Sequence, residues 1–402
     1  MSEIRVDNIT DEAGTGSPNF ANGVQTSNIN GGQVGGRRNR VHNGDMRISQ
    51  RGTSFTIGND QDKFTLDRME LKTNDLDSSY TAIVEQSDDA PEGFINSLKY
   101  TVDSAVTPDT TTGSNNFIVL VSGLERNDVY DLIFDQSSVI SFWVKSSVAG
   151  DFSFVFQAIE TDSGLSDSRL SYVSTYTVNN ANTWEYKVIP IPKNEDGFDW
   201  DFTRSNNIEG ARFSWNLAVA DPDRANKNLG WLDPNNETRN VITATGVYTD
   251  FIDTVGATFQ ITGVQYEAGD TATQFEHRSF GEELSLCQRY YCKSYNYSVD
   301  PGTSTFDGTV TGRNYDGSGR TSNPCIHNFP TSMRVDPSTT VYSAQGTQGE
   351  VSQGSSGIDT STNQVGVASL RFSQNSIRGI NTSSSIDGTR FFQFHFEADA
   401  DF

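Results

Sequence analysis

Cysteine, positive charge, histidine and long apolar runs are all scarce in this chain, and each scarcity closes off a class of function. Three cysteines, Cys287, Cys292 and Cys325, with no CxxC pair, supply neither a disulfide framework nor a zinc cluster, and reduced, buried thiols are expected. Lysine and arginine total 29 against 52 aspartates and glutamates, and the net charge of -23 argues against a nucleic-acid-binding face or an anionic-membrane anchor. The cleanest apolar run, FIVLV at 117–121, is far short of a membrane span. MSEIRVDNIT at the N-terminus has neither the basic nor the apolar region of a signal peptide, so none is expected. No GxSxG elbow, HExxH, P-loop or dinucleotide fingerprint occurs, and the histidines number four: His42, His277, His327 and His395. Cys325 and His327 stand two apart, a spacing that on a strand means packing on one face rather than a thiol with its base.

What the chain does have is the composition of strands. Glycine, serine, threonine, asparagine and aspartate are abundant, apolar residues make up 34%, and 25 phenylalanines and 14 tyrosines carry much of the hydrophobic area; that balance reads as all-β. A length of 402 residues exceeds the size at which one core keeps growing, so two or more domains are expected. Short alternating segments recur: Ile140, Phe142 and Val144; Phe152, Phe154 and Phe156; Trp184, Tyr186 and Val188; Phe213, Trp215, Leu217 and Val219. Residues 66–71 and 93–102 read as further strands, Asn43-Gly44 as a tight turn, and Met46 with Ile48 as a short strand after it. Such a succession predicts a jelly-roll β-sandwich.

The stretch 261–291 divides the chain. Phe259 and Ile261 alternate with polar neighbours, Gly263 breaks the phase, and Val264 and Tyr266 take up the apolar positions, a pattern that predicts a β-bulge. Ser279 then stands three residues before Glu282, the capping-box spacing, with Leu284, Cys287 and Tyr291 at helical intervals behind it. A last strand, a tether and a short helix are expected in that order. Beyond it, the alternation of Phe392, Phe394, Phe396, Ala398 and Ala400 predicts a final strand with one apolar face, and GTQGEVSQGSSGIDTSTNQVG at 346–366 reads as loop-rich.

Several phrases carry a resemblance. NGDMRISQRGTSF followed by FTLDRMEL, then SFWVKSS, TWEYKVIPIP and FQITGVQYEAGDTATQFEHRSFGEE resemble, in that order, the carbohydrate-binding-module-like jelly-roll domain of bacteriophage tail fibres and other virion appendage proteins. Met69 stands where that family most often has an aromatic residue, which removes one candidate stacking ring. FPTSMRVDP and the terminal aromatic strand are similar to the small β-rich tip domain that follows the jelly roll. The resemblance implies an all-β homotrimeric fibre: a virion-attachment segment and linker at 1–40, the jelly roll at 41–275, tether and helix at 276–292, and a β-rich tip at 293–402. It further implies attachment of the particle to a host-surface glycan without catalysis. A purely structural head fibre, adaptor or decoration protein is the alternative reading, and a short polysaccharide depolymerase or esterase the second, although the long solenoid repeats usual in depolymerising tailspikes are missing.

The candidate site residues follow. Trp200 and Trp231 stand outside the alternating strands and are the candidate sugar-stacking rings, ahead of Trp143, Trp184 and Trp215. Asp196, Asp199 and Asp201, with Glu195, form an acidic loop that is read as solvated, as a structural calcium site, or as a source of paired carboxylates; no EF-hand spacing supports the calcium. No other cofactor is expected. Leu284, Cys287 and Tyr291 either dock on the C-terminal domain or meet their copies about a trimer axis. RRNR at 37–40, the one concentrated positive charge, reads as a solvated turn or a contact with an acidic partner.

Overall fold

A computed structural model describes residues 28–29, 32–33, 37–107, 117–134, 136–160, 168–194, 208–219, 225–226, 229–232, 243–244, 251–313, 320–354, 363–386 and 391–402. The strands of the first unit are β1 (Ser54–Ile57), β2 (Asp62–Phe64), β3 (Glu70–Asn74), β4 (Thr81–Ser87), β5 (Ser97–Ser104) and β6 (Phe117–Glu125). After helix α1 (Arg126–Phe134), which the strand pattern did not announce, come β7 (Ser138–Ser146), β8 (Gly150–Glu160), β9 (Ser168–Val178), β10 (Glu185–Ile191), β11 (Glu209–Val219), β12 (Gly230–Trp231) and β13 (Thr258–Ala268). They form two antiparallel sheets, six strands in the order β10-β7-β13-β5-β4-β1 and seven in the order β12-β9-β8-β11-β6-β3-β2. The expected β-sandwich is present.

Its core is aromatic because the inward parity of the central strands is aromatic. Phe142 on one sheet meets Trp215 on the other edge to face, with ring centroids 5.7 Å apart, and Phe213 meets Tyr266 at 4.9 Å. All four are fully buried. Met46 and Ile48 are buried as well, but no strand forms around them. Residues 42–47 make a compact turn closed by Met46 N donating to Asn43 O, with Asn43 and Met46 at φ 57° and 58°. Likewise, the strand expected over 66–71 begins only at Glu70, because Leu66 and Met69 close a turn of their own.

Helix α2 (Phe280–Gln288) leads to the second unit: β14 (Tyr291–Lys293), β15 (Val310–Arg313), β16 (Arg320–Asn328), β17 (Ser338–Ser343), β18 (Glu350–Gly354), β19 (Asn363–Ser373), β20 (Ser376–Ile386) and β21 (Phe391–Asp399). The final strand is not an edge. β21 pairs with β14, β15, β17 and β18 along its length. Phe392, Phe394 and Phe396 face the core as expected, but the opposite parity is covered too. There, His395 stacks on Tyr295 at 3.7 Å, and its Nδ1 and Nε2 lie 3.0 Å and 3.1 Å from Ser294 Oγ and Thr305 O. β18 and β19 also place strand in the segment read as loop.

Residues 37–40 find their acidic partner within the chain. Arg37 pairs with Glu282, Arg40 with Asp131, and the backbone N–H groups of Arg38 and Asn39 both donate to Glu276 Oε2. The expected helix start is also there, in half. Ser279 Oγ accepts from Glu282 N at 3.3 Å, while the Glu282 carboxylate turns to Arg37 instead of closing the capping box. Ser279→Ala is therefore expected to lower stability by about 1 kcal/mol, and Glu282→Ala by less because its ion pair is exposed; urea unfolding of the two single variants checks the ranking.

The two units meet across a charged seam whose central ion pair, Arg68 with Asp401, is buried. Arg68 contacts Asp401 Oδ1 and donates to Gly123 O, while Arg51 Nη2 lies 2.7 Å from Asp401 Oδ2. The Arg68 guanidinium also lies over the ring of Tyr290 at 3.5 Å, and Arg334 over that of Phe402 at 4.3 Å. Arg289 makes two hydrogen bonds to Glu125, at 2.6 Å and 2.8 Å.

Candidate functional site

The site is built on β13, whose two faces do different work. Phe259, Ile261, Val264 and Tyr266 point into the sandwich, and the extra residue needed to keep that parity is taken up at Gly263. Its φ is +64°, and the register against β7 shifts between Thr262 and Gln265, as the broken alternation predicts. Thr262, Gln265 and Glu267 are left on the outer face. Glu267 is fully buried beneath the returning chain and accepts from Gln265 Nε2 at 2.7 Å, Thr273 N at 2.8 Å and Thr273 Oγ1 at 2.7 Å. Gln265 Oε1 accepts from Glu276 N at 2.8 Å. These bonds lay residues 272–277 over the sheet as a wall.

That wall carries Phe275 and His277, which pack on Phe94 with centroid separations of 5.1 Å and 5.4 Å. On the other side, Trp143 of β7 and Tyr186 of β10 are cross-strand partners with rings 5.3 Å apart and tilted by 45°. Between the two aromatic groups lies a cleft of about 500 Å³, with Gly263 on its floor and Glu92, Ser141, Thr273 and Gln274 contributing polar groups. A side chain at 263 would press on both walls: a Cβ there would sit 2.7 Å from Phe94 Cζ and 3.0 Å from Trp143 Cδ1.

Charge around the cleft is already partnered or negative. Lys145, two residues along β7 from Trp143, lies 2.6 Å from Asp89 Oδ2, and Trp184 Nε1 donates to Asp89 Oδ1 at 3.2 Å. Burial pushes the Asp89 carboxyl up, but hydrogen bonds from Lys145, Trp184 and Gln260 outweigh it and leave the pKa lowered. Burial raises the Tyr186 phenol, against a hydrogen bond from Ser141 that lowers it. Rings on two sides with hydroxyl, amide and carboxylate groups between them suit a pyranose, whose C–H face stacks and whose hydroxyls hydrogen-bond.

Of the residues singled out in the sequence, Trp231, Leu284, Cys287 and Tyr291 are among those described. Trp200, Asp196, Asp199 and Asp201 lie outside the described residues. Among the described residues no group of three or more histidine, cysteine, aspartate or glutamate side chains is placed to hold a metal ion. Trp231 stands at the edge of the seven-stranded sheet. Its Nε1 donates to Pro192 O at 2.7 Å, and its ring meets Phe156 and Tyr172 near edge-on at 5.9 Å and 5.4 Å. It is held as an anchor of its own sheet and lines no part of the cleft. Cys287 is fully buried, its thiol pushed well above the usual range by burial and by the nearby Asp67 and Glu283 carboxylates. Tyr291 donates to Glu397 Oε1 at 2.5 Å and carries Arg51 over its ring at 3.8 Å, so its contacts are within the seam, while Leu284 is half-buried.

Trp184, Tyr186 and Val188 share a face, which alternation alone reads as the buried one. In β10 the buried parity is the other, Ile189 and Ile191, and Tyr186 and Val188 are 42% and 43% exposed. The signal was available. TWEYKVIPI is apolar on both parities, and VISFWVK adds Trp143 to a strand whose core face was already complete with Ile140, Phe142 and Val144.

No family model matches this chain, and no curated protein does. Solved structures resemble it at a distance. The enzymatically active domain of tailspike protein 4 of bacteriophage CBA120 is 12% identical over 57% of this chain and 21% of that one, with a TM-score of 0.28. The CBM22-2 xylan-binding domain of Paenibacillus barcinonensis Xyn10C is 13% identical over 57% and 97%, with a TM-score of 0.26. A family 11 carbohydrate-binding module from Clostridium thermocellum, in complex with a β-1,3-1,4-mixed-linked tetrasaccharide, is 11% identical over 56% and 99%, at 0.27. Likenesses this distant do not say what the chain binds.

Proposed function

We propose that this protein is a virion appendage of a bacteriophage, a tail fibre that attaches the particle to a host-surface glycan, and that the glycan sits in the cleft between Trp143 and Tyr186 and the wall of Phe94, Phe275 and His277. The observation that carries this reading is the pair of facing aromatic groups, left partly open on an outer sheet face where packing alone calls for polar residues. Three of the phrases that resemble the phage domain converge on it: SFWVKSS supplies Trp143, TWEYKVIPIP supplies Tyr186, and FQITGVQYEAGDTATQFEHRSF supplies Gly263, Phe275 and His277.

Binding, not cleavage, is the action proposed. Glycoside hydrolysis ordinarily uses two carboxylates flanking the scissile bond, and the described lining contributes Glu92. Three copies about a fibre axis, anchored to other virion proteins through residues 1–40, would raise a modest affinity per cleft by avidity. Replacing Trp143 and Tyr186 together by alanine is expected to weaken glycan binding by about 2 kcal/mol or more, some thirtyfold, with the fold intact because both rings lie on the outer face. Titration of host polysaccharide by calorimetry, beside an adsorption assay, tests it. Undiminished binding moves the site elsewhere on the chain, and an absence of binding by the parent protein favours a purely structural appendage.

A further inference from the structure

We infer that the cleft selects glycans whose recognised units are uncharged and rejects those bearing carboxylate, sulfate or phosphate; this rests on the glycan-binding reading above. Anionic sugars are held by arginine or lysine, whose paired N–H groups match a carboxylate or phosphate. Among the described residues lining the cleft there is neither, and the one full charge is the exposed Glu92 carboxylate. Three cations lie near: Lys145, Arg38 and, beneath the wall, Arg278. Lys145 is engaged by Asp89 at 2.6 Å, and Arg38 donates to Thr273 Oγ1 at 2.9 Å and to Gln274 O at 3.4 Å, behind groups that themselves line the cleft.

The surroundings reinforce the exclusion. Glu267 and Glu276 sit under the wall, held by Thr273 and by the backbone of Arg38 and Asn39; with Glu92 and Asp89 they make four carboxylates against three cations, Lys145, Arg38 and Arg278, the last 3.9 Å from Glu276. Acidic units would enter a negative field, on a chain with a net charge of -23. Hydroxyls meet the opposite situation, since the Glu92 carboxylate and the Gln274 side-chain amide can accept from them.

The test is a matched panel on the full chain: cellohexaose, mannohexaose and chitohexaose as neutral probes, hexagalacturonate and colominic acid as anionic ones, titrated at low and physiological salt. Wild-type protein is expected to bind at least one neutral probe about tenfold or more tightly than any anionic one, and any residual anionic binding should strengthen as salt screens the repulsion. Glu92→Lys, at an exposed position, should shrink that ratio several-fold. Anionic binding equal to or tighter than neutral, abolished by Trp143→Ala, would overturn the charge selection while leaving the cleft as the site. Binding of no probe, or binding indifferent to Trp143→Ala, would overturn the cleft itself and this inference with it.

Discussion

Asp401→Ala should destabilise the protein by about 3–5 kcal/mol, the cost of stripping a buried ion pair of one partner. Two guanidinium groups converge on this carboxylate, and the side chains of Arg68 and Asp401 are only 2% and 1% exposed. Without it, Arg68 keeps one acceptor, Gly123 O, and the face of Tyr290, while Arg51 keeps the more exposed Asp399. Neither arrangement neutralises two charges in a site closed to water. Because the pair spans the seam, the loss should appear as uncoupling: a transition shared by both units in the parent splits in the variant, with the second unit melting first. Calorimetry on parent and variant checks both the size and the split. A single transition within about 1 kcal/mol of the parent would mean that water reaches Arg68 more freely than its burial indicates.

The second large effect is at Gly44. A Cβ there would lie 2.1 Å from the carbonyl oxygen of Val264, with which this turn is already engaged: Val264 N donates to Gly44 O at 2.9 Å, and Asn39 Nδ2 donates to Val264 O at 3.0 Å. The obstruction is backbone on both sides, so it cannot be relieved by a rotamer change. Gly44→Ala is expected to cost about 3 kcal/mol, the upper end for overpacking, because relief means lifting the turn off β13 and with it the buried Met46 and Ile48. Denaturant titration, with proteolysis of the N-terminal segment as a local readout, measures it. An unchanged midpoint would show that the turn shifts at little cost.

Much of the architecture could be read from residue order. The alternation of Phe152, Phe154 and Phe156 set β8, the break in phase at Gly263 located a bulge, and Ser279 marked a helix start, because each of these is decided by neighbours within a few positions. The site was less legible for the same physical reason. Whether the Tyr186 or the Ile189 face of β10 is inside depends on which parity meets the second sheet, and short-range alternation cannot choose when both are apolar. The hook at 39–48 was hidden more deeply. Its strand-like Met46 and Ile48 are held in a turn by Asn43, whose side chain bonds Ile48 N, Ile48 O and Asp67 O, and by Asn39, whose partner Val264 is 225 positions away. Likewise the seam joins Arg51 and Arg68 to Asp401, which stands 350 positions from Arg51, a separation that local sequence pattern does not span.

The extra residue at Gly263 divides the labour of one strand. Because it lets Phe259, Ile261, Val264 and Tyr266 keep their places in the core while Thr262, Gln265 and Glu267 face out, packing and the shaping of the cleft fall to separate sides. The wall over 272–277 is fastened by Gln265 and Glu267 of that outer set and, from its other side, by Arg38 and Asn39. Exchanging Phe275, His277 or Gln274 would change what the cleft presents without replacing any ring of the sandwich interior.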